Sequence, residues 1–308
     1  MNEKEYDLEQ GLEEVVKLVR LSTERQIDKA SCEAIVKKAK IIYEKYPESE
    51  DIALEYSMIL MNLSLKQPEL NEPKATVDKL QALHEHFPDS HDIAEVFAVI
   101  LLYLSVKQPE LNEPKATVDK LQALHEHFPD SHDIALNYAM ILVNLSVKQP
   151  ELNELKATVD KLQALHEHFP DSSDIAEAFA KSLFNLSLKQ PELNEQEATV
   201  DKLQALHEQY PDSHDIALNY AKILFNLSAE QPELNEQEAT VDKLQALHEH
   251  FPDSRDIAES FAKILVNLSA EQSELNEQEV AVDKLQDLHE QYPDSHDIAL
   301  NYAKILFN

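Results

Sequence analysis

The chain has 308 residues, of which 43% are hydrophobic and 28% charged, and its formal net charge is −32. This composition permits a buried core, and the negative charge disfavours nucleic acid and anionic membranes as partners. Because Gly11 is the only glycine, the sequence holds no glycine-rich phosphate loop or nucleophile elbow, and it disfavours β-hairpins and propellers.

The composition also indicates a compartment. A single cysteine, Cys32, permits no intrachain disulfide, which fits a reducing environment. The N-terminal residues lack the basic and apolar regions of a secretory signal, and no apolar run approaches the ~18 residues that span a membrane. We therefore expect a cytoplasmic protein.

A period of 41 residues organises the chain, and it is marked by Pro47, Pro88, Pro129, Pro170, Pro211, Pro252 and Pro293. Self-similarity at such a period predicts units that pack on their neighbours, with no room in one unit for a unique active site. We therefore expect no enzyme.

Three segments follow from this period. We expect a diverged N-terminal capping helix pair in residues 1–46, six repeats in 47–292 and a half repeat with a single helix in 293–308, together one continuous solenoid domain. The half repeat indicates either an array cut inside a longer one or an open end that docks on another surface.

Residues 211–251 show the pattern of one repeat. Asp212 or Ser213 is the expected N-cap of a first helix, called helix A. The apolar residues of helix A recur on one face: Ile216, Tyr220, Ile223, Leu224 and Leu227. Ala217 and Ala221 lie beside that face and permit a close approach of another helix.

A connector from Ser228 to Leu234 precedes the second helix of the repeat, called helix B. We expect Asn235 as its N-cap, with Glu238 completing a capping box. Helix B extends to about Phe251, because a residue before proline disfavours the helical conformation. In two earlier repeats a proline, Pro73 or Pro114, is expected in the first turn of helix B.

This pattern resembles the tetratricopeptide (TPR) family, in a variant with units of about 41–42 residues and high internal identity. With Pro211 on the family's turn proline, Tyr220 and Ala221 fall on its Leu-Gly pair, Leu224 on its aromatic residue and Ala239 on its helix-B alanine. The unit exceeds the family's 34 residues, and the extra residues lie in the connector. The resemblance implies an all-α fold, a TPR-like α-solenoid of about 15 helices stacked as antiparallel pairs in a superhelix.

Helix A alternates between successive repeats. Tyr56, Tyr138, Tyr220 and Tyr302 alternate with Phe97, Phe179 and Phe261, and Leu54, Leu136, Leu218 and Leu300 alternate with Glu95, Glu177 and Glu259. The true period is therefore 82 residues. Duplication of a two-repeat block and a function at each position both explain it.

In the TPR family helix A lines the concave groove, and this resemblance selects the candidate partner-binding residues. They are Leu54, Met58, Met61, Asn62, Val99, Leu102, Tyr103, Met140, Val143, Asn144, Lys181, Asn185, Lys222, Asn226, Lys263 and Asn267. The early repeats offer an adaptable, methionine-rich apolar stripe, and the later repeats offer lysines.

The resemblance implies a protein-interaction scaffold that binds a peptide or partner helix, apolar towards the N-terminal half and acidic towards the C-terminal half. Two alternatives remain open. In one, the methionines and valines complete the core and each lysine pairs with a carboxylate. In the other, the chain is a self-associating spacer array without a small ligand, and the residues that associate are Tyr302, Ile305, Leu306 and Phe307.

Fourteen histidines invite a metal-site interpretation. His84 and His86 are two residues apart, so they lie on different faces of a helix, and their place in its last turn favours a role as cations at the negative end of the helix dipole. We expect no metal and no cofactor. Clustered histidines can make stability depend on pH.

Overall fold

A computed structural model describes residues 3–24, 27–66, 73–107, 114–148, 151–229, 234–271 and 275–307. Within these ranges the chain is all α-helical, without a strand. The fifteen helices are α1 Glu3–Ser22, α2 Lys29–Lys45, α3 Glu50–Lys66, α4 Pro73–His86, α5 His91–Lys107, α6 Pro114–His127, α7 His132–Lys148, α8 Leu152–His168, α9 Ser173–Ser187, α10 Leu193–Gln209, α11 His214–Ser228, α12 Leu234–His250, α13 Arg255–Glu271, α14 Leu275–Gln291 and α15 His296–Phe307. Odd-numbered helices are helix A of their repeat, and even-numbered helices are helix B.

The chain forms two compact units, Met1–Asn144 and Leu145–Asn308. In the first unit α1 packs on α3 and α3 on α5, while α2 packs on α1 and α3, and α4 on α3 and α5. In the second unit α9, α11, α13 and α15 pack each on the next, and α10, α12 and α14 each pack on the two A helices beside them. Each unit is therefore a layer of A helices and a layer of B helices. That the two units form one continuous solenoid stays a prediction.

The two layers differ in how closely their helices approach. Within the described residues of each unit, neighbouring A helices lie closer together than neighbouring B helices, which long side chains bridge. Lys120 Nζ donates to Gln81 Oε1 at 2.8 Å in the first unit, and Lys202 Nζ donates to Gln163 Oε1 at 2.9 Å in the second. The A layer is the more tightly packed of the two.

Alanines explain the close approach of the A helices. Ala217 and Ala221 on α11 are fully buried, as the sequence predicts for residues at a helix crossing. The apolar face of α11 is buried around them, including Tyr220, Ile223 and Leu224. Because a single helix pair cannot cover such a face, each repeat depends on its neighbour for its core.

Serine begins helix A. Ser213 Oγ accepts the Ile216 N–H, and Ser172 Oγ accepts the Ile175 N–H, so of the two predicted caps the structure uses Ser213 and not Asp212. Pro73 and Pro114 begin α4 and α6, which confirms their prediction in the first helical turn.

The predicted capping box of helix B is wrong. Helix α12 begins at Leu234, so Asn235 lies inside the helix. In the equivalent α10 the N-cap is Glu192, whose side chain makes no capping bond. The Glu192 carbonyl oxygen accepts the Gln196 N–H at 3.2 Å. The helix therefore begins ahead of its asparagine, which is not needed as a cap.

A close contact with Tyr46 explains why glycine occupies position 11. A Cβ atom at Gly11 would lie 2.7 Å from the Tyr46 ring, so a larger residue would displace that ring. Tyr46 is tied to α1, since its hydroxyl donates to the Asp7 carbonyl oxygen at 2.8 Å. The glycine thus permits the close contact between α1 and the end of α2.

Hydrogen bonds between repeats account for the 82-residue alternation. The glutamates of the alternating position accept the hydroxyl of the next capping serine: Ser131 to Glu95 at 2.9 Å, Ser213 to Glu177 at 2.8 Å and Ser295 to Glu259 at 2.8 Å. Where leucine replaces glutamate, as in α11, His214 Nε2 instead lies 2.7 Å from Ser254 Oγ. Adjacent repeat junctions therefore use different partners for the same serine.

The alternation of tyrosine and phenylalanine in helix A also coincides with a difference in hydrogen bonding. Tyr138 donates its hydroxyl to Gln122 Oε1 at 3.2 Å, and Tyr220 donates to Gln204 Oε1 at 3.1 Å, so in these repeats helix A is tied to the preceding helix B. The phenylalanines at the alternate positions fill the same core site without that bond. The alternating side chains thus stabilise the frame.

We expect Ser213→Ala to lower the free energy of unfolding by about 1–2 kcal/mol, because it removes both the N-cap of α11 and the bond to Glu177. Ser173→Ala, at an exposed first position of α9, is the matched control and should have little effect. Urea denaturation followed by circular dichroism measures both. Equal midpoints for the two variants would contradict the role given to Ser213.

Two buried tyrosines predict alkaline sensitivity. Burial, reinforced by nearby carboxylates, raises the pKa of Tyr56 and of Tyr138 to about 12, whereas an unfolded phenol ionises near 10. Stability should therefore fall as the pH rises from 10 towards 12, since only the unfolded chain loses these protons. Spectrophotometric titration at 295 nm, with helicity followed in parallel, tests this, and the Tyr56→Phe, Tyr138→Phe variant should show a flatter decline.

Candidate functional site

The side chains of helix A that are not buried lie on one face, called here the A face. On α3 that face carries Leu54, Met58, Met61 and Asn62, all half-buried, while the opposite side of the helix is core. Helical spacing brings these predicted residues to the same side. The A face exists because the B helices cover only the other side of each A helix.

One repeat position runs along the centre of the A face. In the first unit it is occupied by Met58, Val99 and Met140, of which the first two are half-buried and Met140 is 48% exposed. The neighbours Leu102 and Tyr103 on α5 are also half-buried. The first unit thus presents apolar side chains to solvent at successive repeats.

In the second unit the same position carries lysine. Lys181 is exposed and Lys222 half-buried, and neither forms an ion pair or hydrogen bond with the described residues. Lys263 differs, because its Nζ lies 3.4 Å from Asp297 Oδ2 of the next repeat. The alternative in which each lysine pairs with a carboxylate therefore describes Lys263 but not the two lysines before it.

Several predicted binding residues serve the frame. Val143 is only 8% exposed and belongs to the core. Asn62 Nδ2 donates to Ser22 Oγ at 3.1 Å, and Asn185 Nδ2 donates to Ser146 Oγ at 2.9 Å, which ties each to the preceding A helix. Of the other predicted asparagines, Asn226 is half-buried, and Asn144 and Asn267 are exposed.

A cavity of about 290 Å³ opens on the A face of the second unit. Phe225, Val266 and Leu300 supply its apolar lining, and Lys263 and Lys304 supply cations. Asp297, which pairs with Lys263, also lines the cavity, so the positive charge beside the apolar residues is mainly that of Lys304. Comparison between the repeats places Lys263 and Lys304 in one row of lysines. That Asp297 and Leu300 of α15 lie beside them depends on how α15 packs on α13.

The residues proposed for self-association differ in their exposure to solvent. Ile305 is buried at 7% exposure and Tyr302 is half-buried, while Leu306 is 55% exposed and lines a cavity of about 520 Å³ together with residues of α13 and α14. The side chain of Phe307 lies outside the described residues.

Sequence reasoning also missed an exposed apolar position at the end of helix A. Leu65, Val106, Val147 and Leu188 are 36–62% exposed, and a lysine follows each of them. The recurring Ser-Leu-Lys or Ser-Val-Lys segment was the available signal. In two later repeats, alanine and glutamate take these places, at 229–230 and 270–271.

The histidines near the end of helix B divide into two kinds. His84, His166, His207 and His248 are half-buried, and desolvation by burial lowers the pKa of each. The interpretation of His84 as a cation serving the helix dipole is therefore wrong. Two residues after His84, His166 and His248 lies a second histidine, which is exposed, and Gln209 takes this place after His207. Of these exposed histidines, His250 has its Nε2 atom 3.7 Å from Asp212 Oδ1.

Among the described residues, His91, Asp92 and Glu95 place three potential metal-ligand atoms within 4.8 Å of one another. They lie in the first turns of α5, where the helix dipole disfavours a cation. Glu95 already accepts the Ser131 hydroxyl. This arrangement is better explained by the serine network between repeats than by a metal.

None of the described helices combines the length and the apolar character that a membrane span needs. The chain matches no known family profile and no curated protein. Among solved structures, 92 chains are similar to it.

Three of those structures are two tetratricopeptide repeat proteins and PilF from Pseudomonas aeruginosa. A tetratricopeptide repeat protein from Parabacteroides merdae is 12% identical, with 96% of this chain and 99% of that chain covered and a TM-score of 0.46. A thermophilic TPR protein from Thermus thermophilus is 13% identical over 68% of this chain and 100% of that one, with a TM-score of 0.40. PilF from Pseudomonas aeruginosa is 14% identical over 84% and 98%, with a TM-score of 0.43.

Because these identities and TM-scores are low, the description of the fold depends on the geometry of the chain itself. The described residues form helix pairs with a period of 41 residues, a proline before each helix A from α3 onwards and small residues where A helices cross. The chain is therefore an all-α array of helix pairs, with 15 helices in its described residues, and its repeat resembles the tetratricopeptide unit.

Proposed function

We propose that the chain is a protein-interaction scaffold that binds peptide or helical segments along the A face. The observation that carries this proposal is the central row of that face: apolar at three successive repeats of the first unit, and cationic at successive repeats of the second. A soluble chain gains nothing from exposing methionine and valine at a repeated position unless a partner covers them.

The chemistry of the face defines the partner. Met58, Val99 and Met140 suit an apolar segment, because methionine adapts its shape to different side chains. Lys181 and Lys222 suit carboxylates, since they are unpaired among the described residues of a chain whose net charge is −32. The partner we propose is a protein with one apolar and one acidic segment, each bound by its own unit.

The first test uses a phage-displayed random-peptide library selected on the wild-type chain. Met58, Val99 and Met140 changed together to Asp should weaken the selected peptides at least about tenfold, because the substitution places charge where the apolar segment binds. Fluorescence anisotropy with the synthesised peptides measures the change, and circular dichroism checks that helicity is kept.

The matched control changes three exposed alanines of helix B, Ala82, Ala123 and Ala164, to Asp. It adds the same charge to the opposite layer, so the proposal expects full binding. If the A-face variant binds as tightly as the wild type with its helicity intact, the A face is not the binding surface.

Self-association is a second candidate, favoured by one observation. Leu300 and Leu306 on α15 are 45% and 55% exposed, and Leu306 lines the larger cavity. Such apolar surface favours contact between copies of the chain.

For this candidate, light scattering over a concentration series should show a molar mass that rises with concentration. Saturation at a dimer indicates end-to-end docking, and continued growth indicates a filament. The Leu306→Glu variant should remain monomeric, and a wild-type mass that stays monomeric throughout argues against self-association. The peptide-binding test reports on the A face independently of this outcome.

A further inference from the structure

A half-buried histidine recurs where one repeat packs on the next. His84 on α4 lies between two rings of the following repeat, with centroids 6.2 Å from Phe97 and 6.3 Å from Phe128. In the second unit His207 lies in the same way 6.0 Å from Tyr220 and 6.5 Å from Phe251. His166 and His248 occupy equivalent places. These four residues are called here the junction histidines.

In each junction histidine, one ring nitrogen, Nδ1, makes no hydrogen bond with the described residues. The Nδ1 atoms of all four are buried and have no hydrogen-bond partner among the described residues. The other nitrogen of His248 lies 3.2 Å from Gln291 Oε1, which accepts only, so Nε2 carries the proton and Nδ1 has none. A second proton would turn Nδ1 into a buried donor without an acceptor, which costs the full desolvation of that donor.

The groups that face these rings do little to offset that cost. Glu85 on the same helix favours the charged form of His84, but His127 on the next helix B opposes it. His207 has the same surroundings, with Glu208 on its own helix and His250 facing it. At His166 and His248, hydrogen bonds to Gln209 and Gln291 and the nearby Glu167 and Glu249 favour the charged form, but desolvation by burial is the larger effect and the pKa is still lowered.

We propose that the junction histidines make the packing between repeats a pH sensor: neutral rings hold adjacent repeats together, and acidification loosens the array. Because the same residue recurs along the chain, the effect is summed over several junctions and is larger than a single histidine provides. Each junction is built from one ring and two aromatic side chains of the next repeat, so protonation acts where the repeats meet.

The burial of the rings determines whether stability rises or falls as the pH is lowered. Desolvation holds the pKa of the junction histidines below the 6.5 of an exposed histidine. Above pH 6.5 both folded and unfolded chains are neutral at these positions. As the pH falls below 6.5 the unfolded chain takes up protons first, so stability declines until the lower pKa of the folded state is reached.

The test compares two triple variants with the wild type. His166, His207 and His248 changed to Gln remove three junction histidines, and His86, His168 and His296 changed to Gln remove three exposed ones. Thermal unfolding between pH 7.5 and 5.5 should show a Tm that falls with acid in the wild type and the control. The decline should be clearly smaller in the junction variant, since each such histidine changes the unfolding equilibrium by up to about tenfold per pH unit.

Nitrogen-15 NMR of the imidazole rings in the folded wild type provides a measurement that needs no variant. As the pH falls, the junction rings should keep the neutral Nε2–H form to a pH below 6.5, the pKa of histidine in an unfolded chain. The proposal is overturned if the junction rings titrate at or above pH 6.5 while helicity is intact. It is also overturned if the junction variant folds and its Tm declines as steeply as that of the control.

Discussion

Packing of helix A on helix A of the adjacent repeat is the constraint on which the remaining structure depends. Fully buried alanines such as Ala217 and Ala221 let these helices approach, and the larger apolar residues around them are then covered by the neighbouring repeat. The B helices cover one side of this layer and leave the other side open. The existence of the A face is therefore a consequence of how the core is built, and its chemistry depends on the few positions that the core does not use.

The alternation of repeats becomes understandable in the same terms. Adjacent junctions provide different hydrogen-bond partners for the capping serine: Glu177 accepts from Ser213, and the ring of His214 lies against Ser254 Oγ. The frame thus needs two kinds of junction and repeats them in turn. The position of Met58 and Lys222 follows another pattern, with apolar side chains in the first unit and lysines in the second. This contrast separates a position that the frame determines from one that it leaves free.

Sequence periodicity was enough to predict the helix pairs, their order and the buried face of helix A, because these depend on residues three to eight apart. It failed where a side chain meets a partner about 40 residues away. Asn185 bonds to Ser146, and His84 lies against Phe128 of the next repeat. Neither of these contacts has a local signature. The cap of helix B was wrong for a different reason, since the first turn closes on the Glu192 carbonyl without any side chain.

The bridges between B helices have a mechanical consequence. Lys202 and Gln163 are long, flexible side chains joined through a single hydrogen bond, whereas neighbouring A helices meet through close-packed alanines and branched residues. Stretching such a bridge rearranges rotamers, but separating the A helices would open voids. Each unit should consequently be elastic on one side and stiff on the other, so that flexing it changes the spacing of the B helices and preserves that of the A helices.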